Sequence, residues 1–305
     1  MRRRVTVLVN PAAASGRALT VVRRALAALE SHGFTCRQEH SAQGGHLTEL
    51  ARTLAPSCDL LLAAGGDGTV REVASGLLSS PATETVLGVL PVGTGNDFAT
   101  QLGMAEPESA LKALVDGQVR ALDVIEVRHG QGAAAEVDHA LLFAATGFAV
   151  EVLRRTSPRV KRLFGRRFSY SVGFFRALLG FRAPTMSIDA EGKAWTGRVF
   201  HVGAGNAEWA GGGAMRLSPG ARMDDGQLEL CRIEALGRIE VLRCFPMLLR
   251  GTFPRHPKVR YFKGRELAVV SEPVMALALD GDVVGQTPAT FRVRAGALRV
   301  VAHGG

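Results

Sequence analysis

Three runs in the first third of the chain, "RVTVLV" (Arg4–Val9), "CDLLLAA" and "TVLGVLP", are apolar over nearly their whole length. A strand reads that way when both of its faces are covered, the condition of a parallel sheet held between helix layers. The segments between them fit. "GRALTVVRRALAALESHG" has amphipathic helical spacing and ends at Gly33. "FTCRQEH" is a second strand, and "HLTELARTLA" is a helix closed by Pro56. A helix from about Val70 to Leu78 follows the third strand, and another follows "VGTGND" after the fourth. Strand and helix in alternation predict a doubly wound α/β domain.

Beyond "ALDVIEV" the pattern changes. "HALLFAATG", "TMSIDA", "GRVFHVGAG", "GQLELCRIE", "RELAVVSE", "VMALALDGD", "TFRVRAG" and "ALRVVA" are strand candidates with few helices between them. Two helical inserts interrupt them, around Arg167–Phe181 and Arg238–Arg250. This half reads as an antiparallel β-sandwich or barrel. The expected division is 1–123 for the α/β domain and 124–295 for the β domain, with a last strand at about 296–305 able to return to the first.

The 305 residues suffice for two cores. Four cysteines, Cys36, Cys58, Cys231 and Cys244, show neither CxxC nor metal-ligand spacing and read as reduced thiols of a cytoplasmic protein. The apolar run after the basic start is too short for a signal segment. No run approaches the roughly 18 residues of a membrane span. The expectation is a soluble protein able to touch a membrane. A formal net charge of +9 favours an anionic partner.

"LLLAAGGDGTVREVASGLL" breaks an apolar strand at Gly65, Gly66 and Gly68 and resumes as a helix. Glycine permits close backbone approach, so successive N–H groups can converge on an anion at the helix start. Thr69 can cap the helix or donate to a phosphate, and Glu72 three residues on suits a capping box. Asp67 beside a phosphate requires a cation between them, which points to Mg²⁺. The plainer reading is a tight turn before a capped helix. "PVGTGNDFA" repeats the device after the next strand, with Gly93, Thr94, Asn96 and Asp97. Both turns emerge at the carboxyl edge of such a sheet, where ligands bind. There is no GxxxxGK[ST], and "GTGNDF" and "GAGNAE" lack the last glycine of a dinucleotide fingerprint, which disfavours a Rossmann dehydrogenase.

"VNPAAASG", "GGDGTVREVASGL" and "PVGTGNDFA", followed by "GGGAMRLSPGARMDDGQLEL" and "LDGD", resemble the diacylglycerol kinase catalytic domain family, which includes bacterial lipid kinases and the sphingosine and ceramide kinases. The motifs run in family order along nearly the whole chain. The resemblance implies ATP- and Mg²⁺-dependent phosphorylation of a lipid hydroxyl, in a cleft between an α/β nucleotide domain and a β-sandwich. It places Asn10 on the first nucleotide loop and Ser41 where the family usually has threonine. It assigns Gly66 to Glu72 and Thr94 to the ATP phosphates, and Asp67, Asp97 and Asp123 to the surroundings of the catalytic ion. Asp123 also stands on its own, because an acid buried in a strand needs a partner. Asp280 and Asp282 become the acids near the attacking hydroxyl, Asp282 standing where the family typically has glutamate. "DGD" is equally a hairpin turn. In bacterial members a structural Mg²⁺ sits at the stretch "RMDDGQLEL", which implies the Asp225 carboxylate and the carbonyls of Arg222 and Gln227; "DDGQ" is also a plain β-turn. NAD kinases share Gly65 to Thr69 but carry an Asn-Glu signature that "GTGNDFA" does not match. A kinase of a soluble substrate and a non-enzymatic nucleotide- or membrane-binding regulator on the same fold are the competing readings.

Between Glu151 and Asp189 nine Arg or Lys residues occur without an acid, and seven more occur from Arg243 to Arg265. Interleaved with Phe and Leu, the segments 154–182 and 243–265 suit attachment to an anionic membrane. Core helices with snorkelling arginines are the plainer alternative. The expectation is a peripheral enzyme on the inner face of a membrane. No nucleic-acid module is apparent, and the β-rich half can offer a sheet edge for a homodimer.

Overall fold

The computed structural model describes residues 3–11, 17–82, 84–130, 132, 135–156, 172–249 and 253–303. The chain divides into two compact units. The first comprises Met1–Asp123, Gly211–Gly213 and Ala295–Gly305, the second Val124–Ala210 and Ala214–Arg294.

In the first unit, β1 (Arg4–Val9) pairs in parallel with β2 (Thr35–His40) and with β3 (Leu60–Gly65), and β3 pairs with β4 (Val86–Pro91). The last strand, β17 (Ala289–Ala302), adds a parallel contact at Val300 opposite Leu87. Every residue of β3 is buried, as sheet faces covered on both sides require. One cover is α1 (Arg17–Ser31) with α5 (Pro107–Asp116), which follows the short α4 (Asp97–Gln101). The other is α2 (His46–Leu54) with α3 (Asp67–Leu78). Leu61, Leu62, Leu87 and Leu90 are fully enclosed, each contributing about 1.5–3 kcal/mol of apolar burial. The two helices of the second cover meet at Gly76, where a Cβ would lie 2.3 Å from the Thr48 carbonyl oxygen.

The second unit is an antiparallel β-sandwich. β9 (Lys193–Gly205) serves both of its layers. Its first half pairs with β8 (Thr185–Ala190), its second with β7 (Phe143–Gly147) and β12 (Leu228–Glu234). β14 (Glu266–Glu272) lies between β8 and the first half of β17. β15 (Ala276–Leu279) lies between β7 and β16 (Asp282–Gln286). β13 (Val259–Gly264) flanks β12, β5 (Gln118–His129) pairs with β6 (Glu136–Ala140), and the short β10 (Trp209–Ala210) pairs with β11 (Met215–Arg216). Met186, Val199, Leu228, Leu267 and Phe291 fill the core between the layers.

A second apolar core lies on the outer face of β9 and β12. There α6 (Phe148–Arg155), a helix α7 at 172–180 and α8 (Arg238–Leu249) cover Phe200, Cys231 and Ile233. Phe148 stacks on Phe200 with centroids 4.5 Å apart, and Phe181 meets both rings edge-on. Residues 167–171 and Arg250 of the expected helical inserts lie outside the described residues.

Three expectations are corrected. "HALLFAATG" is two strands, because Leu141 and Leu142 turn between β6 and β7. Val259–Gly264, read only as a basic stretch, is strand β13. "TFRVRAG" and "ALRVVA" form one strand, whose Gly296 adopts φ 58°.

Candidate active site

The expected nucleotide ligands leave the carboxyl ends of the parallel strands. Asn10 follows β1, Ser41 follows β2, Gly65–Thr69 joins β3 to α3, and Gly93–Asn96 follows β4. The strand order β2-β1-β3-β4 puts the switch in connection direction between β1 and β3, the place where open α/β sheets bind ligands. There the Asn10 amide Nδ2 donates to Thr69 Oγ1 at 3.3 Å, and its backbone N–H donates to the Ala64 carbonyl at 3.2 Å.

The two glycine turns lie back to back. A Cβ on Gly93 would fall 2.4 Å from the Gly66 Cα and 2.9 Å from its nitrogen. Backbone meets backbone here, which only glycine allows. Asp67 joins the turns. Its Oδ1 accepts the Phe98 N–H at 3.0 Å, and a Cβ on Gly95 would come within 2.8 Å of its other oxygen. Burial holds the Asp67 carboxyl above the ordinary aspartate range; the Phe98 and Asp97 N–H groups oppose this, and the Asp97 charge adds to it. Asn96 sits in the left-handed region at φ 56°, its Nδ2 donating to the Gly93 carbonyl at 3.2 Å, while its buried Oδ1 has no partner. Thr94 is exposed.

The capping box at Thr69 and Glu72 does not form. α3 begins at Asp67, with extended Gly66 as its N-cap and no side-chain cap. Thr69 therefore lies within the first turn, buried. Glu72 stands one turn on, its carbonyl accepting from Thr48 Oγ1 at 3.0 Å.

The other acids each fasten a loop. Asp97 accepts the N–H groups of Gly211 and Gly212 at 2.9 and 2.5 Å, and those glycines with Gly213 all have positive φ. Buried Asp123 accepts the Gly296 N–H at 2.8 Å. Asp67, Asp97 and Asp123 do not gather into one set of mutually adjacent carboxylates. Among the described residues, the one group of three potential metal-ligating side chains is a histidine with two carboxylates, His129, Glu136 and Asp138, whose ligand atoms lie within 4.8 Å of one another. Sequence reasoning missed it, because the signal is cross-strand: His129 stands opposite Glu136 in the β5–β6 register, with Asp138 two residues along. His129 Nε2 and Asp138 Oδ2 are 2.9 Å apart.

In the second unit Asp280 occupies the turn between β15 and β16 at φ 50°. Its carboxylate accepts the N–H groups of Leu141, Leu142 and Phe143 at 2.7, 2.8 and 2.9 Å. That explains the break between β6 and β7. Asp282 opens β16 and is exposed. Arg222, Asp225 and Gln227, the residues expected to hold a structural ion, lie on the turn before β12. Asp225 Oδ2 already pairs with the Lys263 ammonium at 2.8 Å, and its Oδ1 accepts the Gln227 N–H at 3.1 Å.

Residues 4–127 match the diacylglycerol kinase catalytic domain, and residues 143–302 match the YegS C-terminal NAD kinase beta sandwich-like domain. A diacylglycerol kinase of Staphylococcus saprophyticus is 30% identical over 295 residues, covering 95% of this chain and 92% of its own. The chain belongs to the diacylglycerol kinase family. Its homologues support a kinase. A crystal structure of a diacylglycerol kinase from Bacillus anthracis superposes with a TM-score of 0.73 at 21% identity, covering 99% of this chain and 97% of that one. A yeast NADH kinase complexed with NADH aligns at 0.53 and 11% identity over 100% and 84% of the two chains. Both likenesses concern the fold.

Proposed function

We propose that this member of the family transfers the γ-phosphate of ATP to the hydroxyl of a membrane lipid, diacylglycerol first among them, with Mg²⁺. The observation that carries the reading is the apposition of Gly66 and Gly93 with Asp67 joining the turns, at the carboxyl ends of neighbouring parallel strands. The residues present fit the implied groups. The glycines leave backbone amides unshielded by side chains, as phosphate oxygens require. Asn96 Oδ1 is a buried acceptor in want of a donor, and the buried Asp67 carboxyl is a hard oxygen ligand that a cation would favour in its charged form.

Asn10, Ser41, Gly65–Thr69 and Thr94 would hold the nucleotide phosphates. Asp67 would hold the magnesium, while Asp97 and Asp123 keep the surrounding loops in place. When bound, the ion neutralises charge developing on the transferred phosphoryl group. The acceptor alcohol must lose a proton as its bond to phosphorus forms. The Asp280 carboxylate carries three N–H donors, which suits it to hold the turn. Asp282, exposed on the same hairpin, is the group assigned to the acceptor hydroxyl.

The competing reading is a kinase of a soluble dinucleotide, built on the fold that the yeast NADH kinase shares. Against it stands the second turn, whose "GTGNDFA" lacks the Asn-Glu pair that NAD kinases carry there.

Calorimetric titration with ATP tests the site. Wild type is expected to bind ATP more tightly with magnesium than without it, and Asp67→Asn to lose that difference. Equal magnesium dependence in both proteins removes the assignment.

A further inference from the structure

The described basic residues of the second unit fall into two groups that the sequence does not distinguish. Arg154 and Arg155 pair with Glu151 at 3.3 and 2.6 Å, Lys258 with Glu240 at 2.8 Å, and Lys263 with Asp225 at 2.8 Å. Arg176 and Arg182, on and just after α7, and Arg238 and Arg243, on α8, are exposed. Among the described residues none of these four has a carboxylate partner. The acid of α8, Glu240, is engaged by Lys258 and His256.

The same two helices expose large apolar side chains. Phe175 and Leu179, one turn apart on α7, are 55% and 67% exposed; Ile239 and Leu242, one turn apart on α8, are 69% and 46% exposed. They stand away from Ala177, Leu178, Val241 and Cys244, which enter the second core. The Arg238 guanidinium donates to the Leu179 carbonyl at 2.7 Å, tying the end of α7 to the start of α8. A depression of about 840 Å³, lined by Arg238, Ile239, Arg243, Cys244, Met247 and His256, opens beside them.

We propose that this face of α7 and α8 docks on an anionic lipid bilayer. The proposal rests on the lipid-kinase reading, which puts the acceptor in a membrane. Charge complementarity selects the occupant: guanidinium groups without carboxylates match lipid phosphates. Exposed Phe, Leu and Ile beside them match the acyl boundary below, whereas a nucleic-acid surface gives aliphatic side chains nothing to enter. Among the described residues of the two basic sequence segments, the face excludes the paired Arg154, Arg155, Lys258 and Lys263, and it gains Arg238 and Ile239 from outside them; residues 157–171 and Arg250 of those segments lie outside the described residues.

Flotation with vesicles of phosphatidylcholine alone, and of equal parts phosphatidylcholine and phosphatidylglycerol, tests it. Wild type is expected to bind the anionic vesicles at least about tenfold better, and R176E/R243E to lose about tenfold or more of that binding. Removing apolar contact with L179S/I239S is expected to cost about tenfold as well. The control R128E/K193E carries the same change in net charge elsewhere on the unit and is expected to stay within about twofold of wild type, since attraction decays within a Debye length. Face variants that bind like wild type, a control that loses as much as they do, or wild type that ignores both vesicles overturns the proposal. Phosphorylation of a water-soluble short-chain diacylglycerol separates the two readings. Equal transfer by wild type and face variants supports docking as access to the bilayer. Vesicle binding that depends on the face, with no transfer to any lipid, supports the docking face and removes the lipid-kinase reading.

Discussion

Asp280 and Asp282 stand two residues apart on one hairpin and occupy opposite environments. Asp280→Ala leaves three backbone N–H groups without their acceptor, so about 3 kcal/mol of stability is expected to go, measured by urea unfolding. Asp282→Ala changes an exposed side chain and is expected to stay within about 0.5 kcal/mol of wild type. Its phosphotransfer rate is expected to drop about a hundredfold or more. An Asp280→Ala chain as stable as wild type contradicts the anchoring role. His201 gives a pH dependence of its own. Its Nδ1 is buried without a partner, and burial pushes its pKa from 6.5 down to about 4. The folded chain keeps the ring neutral where the unfolded chain protonates it. Stability from this group is therefore full above about pH 6.5 and declines as pH falls toward 4, by about 3 kcal/mol in all. Urea midpoints for His201→Gln across that window are expected to show a shallower decline than wild type.

At the scale of elements, glycine spacing made the two turns legible, and buried strands without alternation made the parallel sheet legible. The start of α3 was not. A threonine followed three residues later by glutamate is a good cap in isolation, but Asp67 enters the helix and spends its carboxylate on the Phe98 N–H of the neighbouring turn. The break in "HALLFAATG" was hidden for the same reason, since the acceptor that creates it lies 138 residues from Leu142. Loop-to-loop contact through Gly66 and Gly93 makes a sharp demand on both. Gly93→Ala would drive a Cβ into the Gly66 backbone and is expected to cost about 1–3 kcal/mol, with ATP affinity reduced at least about tenfold in calorimetry on the folded variant. Unchanged affinity in Gly93→Ala would mean that the nucleotide phosphates lie elsewhere.

At the scale of the molecule, the alternation of strand and helix followed by runs of strands was enough to place an α/β unit before a β-sandwich. Family motifs then placed the nucleotide residues on the first unit and the "LDGD" acids on the second. What the sequence left unread are features made by distant partners: the second apolar core under α6, α7 and α8, the Asp97 bonds to Gly211 and Gly212, and the Lys263 ammonium at Asp225. Transfer of radiolabel from γ-labelled ATP, with magnesium and with diacylglycerol and NAD offered together, tests the central claim most directly. Label is expected in phosphatidic acid and to fall to background with Asp67→Asn. Label in the dinucleotide, or in neither acceptor, would contradict the assignment of this chain as a lipid kinase.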